Sequence, residues 1–356
     1  MPTHDQPATT GLAADPRLFG SFLESAPDAV VIIDEDGRIL LVNAQVEALF
    51  GYPRQELLGE AVEVLLPERF RDAHRSHRGT YAAEPHTRPM GAGLDLWGRR
   101  RDGTEFPVDI SLSPLPSDHG VLLAAAIRDV TERKRLEQVR DEFIRNAAHE
   151  LRTPLATIAT LGSTLAMHLD ALDEQQLADA LAALRRQSQR ASTLVANLLD
   201  LSQLDGGRTV IDLGSVHLLA AVRRAQESAP PPEGTDVAVS VDEELHVIAD
   251  ASRLEQVVTN LLTNAYRYGG PTVRIEAGVE DDTVVLEVAD DGPGVPEELL
   301  AELFEPFTRG ASANDVGGSG IGLALSRRLV ETFGGRLDHE DGQPGARFVC
   351  RLQRSP

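Results

Sequence analysis

Asn260-Leu261-Leu262-Thr263-Asn264-Ala265-Tyr266-Arg267-Tyr268 is the stretch on which the reading of this chain turns. It closes a predicted helix over Ser252–Tyr268. Asn260 and Asn264 are four apart, so they share a helix face. Magnesium prefers oxygen ligands and is held by few protein groups plus phosphates, which suits an asparagine side-chain oxygen. Taken alone, two solvated or capping asparagines read equally well.

Three further clusters follow in the same part of the chain. Asp290-Asp291-Gly292-Pro293-Gly294 comes just after a predicted strand. A carboxylate at a strand end can accept a hydrogen bond from an adenine amino group, and glycines let the backbone approach the base. A plain turn uses the same residues. Gly317-Gly318-Ser319-Gly320-Ile321-Gly322-Leu323 opens another helix, whose N-terminal amides offer phosphates an anion site. Between them, Phe304-Glu305-Pro306-Phe307-Thr308-Arg309 precedes a soft stretch, Gly310 to Val316. That stretch reads as a lid, with Arg309 placed to meet a terminal phosphate.

All four clusters in this order resemble the ATP-binding domain shared by histidine kinases, gyrase-type topoisomerases, Hsp90 chaperones and mismatch-repair ATPases. The resemblance runs from about Ser215 to Leu352. It implies Asn264 as magnesium ligand and Asp290 as adenine reader. Asn260, Arg267, Tyr268, Gly292, Gly294, Gly318, Gly320 and Gly322 join the nucleotide site. Arg267 stands where the family often has lysine, which keeps the charge and changes the geometry. Hydrolytic members carry a glutamate four residues before the magnesium asparagine. Here that position is Asn260, so the general base for attack by water is missing.

Upstream lies His149-Glu150-Leu151-Arg152-Thr153-Pro154-Leu155, on a predicted helix. Imidazole is a competent nucleophile at neutral pH, and phosphoryl transfer depends mostly on positioning and charge neutralisation. Glu150 can accept the proton from the other ring nitrogen. Thr153, one turn on, is placed to orient a water or an incoming partner. Pro154 removes the N–H that would bond the Glu150 carbonyl, which permits a bend. The heptapeptide resembles the phosphoacceptor box of sensor histidine kinases. The resemblance implies that ATP phosphorylates His149, which passes the group to an aspartate of a response-regulator receiver domain. Because the Thr153 hydroxyl can hold a water in line with the partner's phospho-aspartate, a phosphatase activity toward that partner is also expected.

Around the box, Leu177, Leu184, Ala191 and Leu198 repeat every seven residues, as do Leu181, Ser188, Val195 and Ser202. This is a bundle or coiled-coil seam. Two helices cannot bury two such stripes, so a homodimeric four-helix bundle is expected.

The first third reads as mixed α and β. Ala29–Asp34 and Ile39–Asn43 flank Asp36-Gly37, and Leu94–Arg101 and Phe106–Ser113 flank Asp102-Gly103, two hairpin signals. Val121 to Asp129 is the closing strand. Hairpin, small helices and three-stranded meander resemble a PAS sensor domain, and Arg128-Asp129-Val130-Thr131-Glu132-Arg133 resembles its exit signal. Within it, Pro67-Glu68-Arg69-Phe70-Arg71-Asp72-Ala73-His74 resembles the helix supplying the proximal haem ligand of oxygen-sensing PAS kinases. That implies haem as a cofactor on His74, as a neutral imidazole on an apolar-lined helix. Leu94 falls where those sensors carry an arginine that contacts oxygen. Similar Arg-x-x-His stretches occur in PAS domains that bind no haem, and surface or core packing is the stronger reading of His74.

The fold class expected is therefore multidomain α+β. Residues 1–16 form a disordered tail and 17–130 a PAS domain. Residues 131–206 form an antiparallel helical hairpin in a dimeric bundle, and 210–354 an α/β sandwich that binds ATP and Mg²⁺. Composition agrees: 42% hydrophobic and 25% charged residues are ordinary for globular domains. A net charge of -22 argues against a nucleic-acid partner. One cysteine, Cys350, rules out an intrachain disulfide framework. With no signal-like N-terminus and no apolar run near the roughly 20 residues a membrane span needs, a cytoplasmic location is expected.

Overall fold

The computed structural model describes residues 16–83, 88–90, 95–117, 120–168, 172–205, 211–308, 318–342 and 344–355. The chain divides into two compact units, Met1–Asp141 and Glu142–Pro356.

The first unit opens with α1 (Pro16–Ser25), β1 (Ala29–Ile33), β2 (Ile39–Val42), α2 (Ala44–Phe50) and α3 (Arg54–Leu57). A 3-10 turn at Val62–Leu65, α4 (Glu68–Ala83), β3 (Arg88–Met90), β4 (Leu96–Arg99), β5 (Glu105–Ser117) and β6 (Gly120–Asp129) follow. The antiparallel sheet runs β2-β1-β6-β5-β3, with β4 also paired to β5. Both Asp-Gly hairpins form, and Gly37 and Gly103 take the positive φ values, 79° and 92°, that their turns demand. One buried polar residue ties the unit's start together. Asn43 caps α2, its Oδ1 accepting from the Val30 amide at 2.9 Å and the Val46 amide at 3.3 Å. Its Nδ2 donates to the Leu23 and Asp28 carbonyls at 3.0 and 2.9 Å, so burial leaves its amide satisfied.

At the exit, Asp129 accepts from the Thr131 amide at 2.8 Å and from Arg100 at 2.9 Å. Burial alone would raise its pKa; the Thr131 and Arg100 bonds outweigh that and hold it below the usual carboxylate range. Helix α5 (Thr131–His168) starts here, and its remainder belongs to the second unit.

The second unit continues with α6 (Glu174–Asp205), β7 (Gly214–His217), α7 (Leu218–Ser228), β8 (Asp236–Ser240), β9 (His246–Ala249) and α8 (Ala251–Tyr268). After these come β10 (Thr272–Glu280), β11 (Thr283–Asp290), a 3-10 turn at Glu297–Glu302, α9 (Gly322–Thr332), β12 (Arg336–Asp341) and β13 (Ala346–Gln353). The main sheet runs β12-β13-β11-β10-β8, parallel only between β8 and β10. Helix α8 shows why the layers adhere. Asp250 caps it, and Leu254, Val257, Val258, Leu261, Leu262 and Ala265 form one buried stripe at helical spacing. Each fully buried Leu or Val contributes about 1.5–3 kcal/mol.

The sequence pattern predicts a helix over Ser215–Ser228, and the structure corrects its start. Ser215 to His217 belong to β7, paired with β9, and α7 begins only at Leu218. The reason is local: the His217 ring nitrogen Nδ1 accepts the Ala220 amide at 3.0 Å and caps the helix there. Helix α5 runs unbroken through the buried Pro154. The expected disordered tail lies outside the described residues, except that Pro16 is already helical.

Candidate functional site

Helix α8 carries the first half of the pocket. Asn264 is half-buried, and among the described residues its side-chain amide has no hydrogen-bond partner. Asn260, one turn earlier, is engaged: its Nδ2 donates to the Gly322 carbonyl at 3.4 Å and the Ser326 hydroxyl at 3.3 Å. Ser326 is fully buried on α9. The sequence reading passed over Ser326, and only its spacing from Gly322 signals it. The two asparagines thus differ, one tying α8 to α9 and one unspent.

The second half comes from the end of β11. Asp290 is buried, and its Oδ1 accepts from the Gly292 amide at 2.9 Å and the Ala346 amide at 3.3 Å. Its other oxygen has no partner among the described residues. Asp291 turns the other way and accepts the Thr272 amide at 2.8 Å, which keeps its carboxyl below the usual range. A Cβ on Gly292 would stand 2.5 Å from the Gly269 Cα, so no side chain fits there. Gly294 has φ 78°. Gly345, where a Cβ would collide with the Asp290 carbonyl, and Ala346 at the start of β13 hold Asp290, and the glycine at 345 is the signal that could have pointed to them.

The glycine loop closes on α8. A Cβ on Gly318 would lie 2.8 Å from the Tyr268 hydroxyl and 3.0 Å from an Arg267 nitrogen. Gly322 faces Asn260, and Gly320 takes φ 68° against the Phe307 backbone. The structure therefore gathers Asn260, Arg267, Tyr268, Gly318, Gly320 and Gly322 at the α8–α9 junction. Arg309 and the stretch Gly310 to Val316 lie outside the described residues.

The acceptor box sits on α5. His149 and Thr153 are exposed, while Glu150 is half-buried and lies 3.9 Å from Arg190 on α6. The second unit has one shared core. Leu194 and Leu201 of α6 are buried in it, and Phe143 and Leu151 of α5 pack against it. Of the two predicted stripes on α6, Leu177, Leu184, Ala191 and Leu198 are partly covered, whereas Leu181, Ser188, Val195 and Ser202 remain exposed.

The chain matches the family described as histidine kinase-, DNA gyrase B- and HSP90-like ATPase over residues 249–356. It matches the His kinase A (phospho-acceptor) domain over 139–207 and the PAS domain over 27–132. The chain belongs to the PAS-domain sensor histidine kinases. Among curated relatives of this kinase, the sensor protein FixL of Bradyrhizobium diazoefficiens is 29% identical, covering 91% of this chain and 68% of FixL. The alginate biosynthesis sensor protein KinB of Pseudomonas aeruginosa is 30% identical, covering 94% of the kinase and 56% of KinB. The kinase thus spans between about half and two thirds of these relatives' lengths. A solved structure of histidine kinase ThkA with the response regulator protein TrrA is 24% identical, covering 94% of this chain and 98% of that one, with a TM-score of 0.48. The nucleotide domain is of the ATP-binding type.

His74 is the one expected ligand whose surroundings argue against its assignment. Its Nδ1 lies 2.9 Å from the Glu63 carboxylate, and the Arg78 Nε lies 3.7 Å from the same oxygen. Glu63 is buried, which raises its pKa; the His74 bond and the Arg78 charge more than offset this and leave it lowered. Among the described side chains of α4, those turned inward are Arg71, His74 and Arg78, a polar face rather than the apolar one an axial imidazole would need. The residues present do not fit a haem at His74. Among the described residues, no helix is long and apolar enough to cross a membrane.

Proposed function

We propose that this kinase transfers the γ-phosphoryl group of ATP to its own His149 and then to an aspartate on a receiver-domain partner. In the first step a ring nitrogen of His149 forms the N–P bond, the bond to the β–γ bridging oxygen breaks, and ADP leaves with the electron pair. Glu150, adjacent in the chain, takes the proton from the other ring nitrogen. Asp290 and its glycines hold the adenine. Asn264 would hold Mg²⁺, which offsets charge on the phosphates. Arg267, Tyr268 and the amides opening α9 line the phosphate end.

The observation that carries the reading is the contrast between the two α8 asparagines. Asn264 keeps its side-chain oxygen for a metal, while Asn260 is a structural tie between helices and supplies no base for water. A pocket so built retains the phosphate for a better nucleophile, and the exposed His149 in the same unit is one. Thr153, exposed one turn on, is placed to orient water for removing the phosphoryl group from the partner's aspartate. The uncovered stripe of Leu181 and Val195 supports a homodimer through α5 and α6. ATP and receiver domains place this chemistry in the cytoplasm.

The test is His149→Gln. Labelled ATP should leave acid-labile, base-stable label on the wild type and none on the variant, with nucleotide binding unchanged. Label that survives acid, or that persists in the variant, would refute the assignment.

A further inference from the structure

Ser326 is fully buried on α9, among the apolar residues Ala324, Leu325, Leu329 and Val330. A hydroxyl in such surroundings is costly unless it is hydrogen-bonded. Its partner is the Asn260 side chain of α8, whose Nδ2 donates to the Ser326 Oγ at 3.3 Å and to the Gly322 carbonyl at 3.4 Å. An amide nitrogen carries two hydrogens, so both donors of Asn260 are spent on α9. Among the described residues, these are the side-chain hydrogen bonds that join α8 to α9.

The tie has a defined place along α8. At about 1.5 Å per residue, Asn260 and Tyr268 are roughly 12 Å apart along the helix, with Asn264 midway. The glycine loop meets α8 at both ends of that span. Gly318 comes up against Tyr268 and Arg267, and Gly322, the first residue of α9, meets Asn260. A triphosphate held by a metal on Asn264 and by the amides that open α9 touches both helices at once, so their spacing enters its affinity. The base, held at Asp290 on the end of β11, does not depend on that spacing.

We propose that Ser326 is a positioning residue for the phosphate end of the pocket. By holding Asn260 against the first turn of α9, it sets the spacing between the metal face of α8 and the N-terminus of α9. It acts through Asn260 and not on the nucleotide. The proposal rests on the α8–α9 junction taking Mg-ATP, as in the proposed function, and deepens that reading.

The test compares two ligands on the full chain. Ser326→Ala removes one acceptor from Asn260 without adding bulk. Affinity for Mg-ATP, measured by calorimetry, should fall roughly two- to tenfold, the range of one neutral hydrogen bond. Affinity for adenosine, which lacks the phosphates, should be unchanged, and that also shows the variant to be folded. The Mg-ATP concentration that half-saturates His149 labelling should rise by the same factor, with the saturated rate unchanged, because the tie serves ground state and transition state alike. In an Asn260→Ala background, Ser326→Ala should have no further effect. Unchanged Mg-ATP affinity would overturn the proposal. So would equal weakening of both ligands, which assigns Ser326 to core packing, or a further loss beside Asn260→Ala, which assigns it another route. A wild-type chain that binds Mg-ATP no tighter than adenosine would overturn it together with the phosphate end. The expected binding pattern without any label on His149 would sink the transfer reaction and leave the positioning role standing.

Discussion

The Asp290 carboxylate accepts the Gly292 amide at 2.9 Å, two residues further along its own chain. The same oxygen takes the Ala346 amide from β13, so one oxygen of Asp290 is committed to the protein and the other has no partner among the described residues. Replacing the residue therefore removes two things at once, and the choice of substitution separates them. Asp290→Asn keeps an oxygen acceptor for the loop and presents an amide donor to the adenine amino group. It should fold normally and bind ATP at least tenfold more weakly. Asp290→Ala should lose both nucleotide binding and about 1–3 kcal/mol of stability, because two buried amides lose their acceptor. Asn264→Ala should lose Mg-ATP turnover with little change in stability. Titration with a fluorescent ATP analogue, paired with thermal unfolding, checks all three; normal ATP affinity in Asp290→Asn would mean the adenine lies elsewhere.

Thr153 is exposed and one helical turn from His149. Thr153→Ala should leave autophosphorylation within about twofold of wild type and slow dephosphorylation of the partner about a hundredfold, the lower end for one positioned catalytic group. Following both half-reactions with one phosphorylated receiver domain gives the answer. Equal effects on the two would remove the assigned role.

Asp250 caps α8, accepting from the Ser252 and Arg253 amides at 3.0 and 3.2 Å. Burial works to raise its pKa, but bonds from the Ser252 side chain and the Arg253, Asp212 and Ser252 amides lower it overall. Its contribution is thus present above the unfolded value, about 3.9, and is lost as pH falls through the lower folded value. Asp250→Ala should cost about 1 kcal/mol near neutral pH. The deficit should shrink as the pH drops below about 4. Thermal unfolding across that range measures it, and a deficit independent of pH would assign the loss to packing instead.

His74 is committed to Glu63. The full chain expressed with haem supplied should show no Soret band. A band that vanishes in His74→Ala would reinstate the axial ligand and displace the Glu63 pairing as its role.

Much of this was legible in the amino acids. The stripe from Leu254 to Ala265 implies a helix half-sunk in a core, because apolar side chains every three to four residues have one way to leave water together. The two Asp-Gly pairs imply their hairpins, because few other residues accept those backbone angles. His149, Asn264 and Asp290 are singled out by the resemblance of their motifs, because each alone reads equally as a packed, solvated or turn residue. What lay beyond the sequence depends on distant segments meeting. Nothing within Ser215–His217 distinguishes a strand from the first turn of a helix; pairing with His246–Ala249 decides it. Asn260 and Asn264 are the same residue type on one helix face, and only the arrival of Gly322 and Ser326 spends one and spares the other. His74 follows a motif shared with haem ligands, yet Glu63 and Arg78 surround it with charge. The seven-residue repeat exposed two stripes on α6, while the buried leucines, Leu194 and Leu201, face a core that the nucleotide domain completes. Periodicity fixes which residues share a face; which surface that face meets is set by contacts between segments far apart in the chain, and those exist only once it has folded.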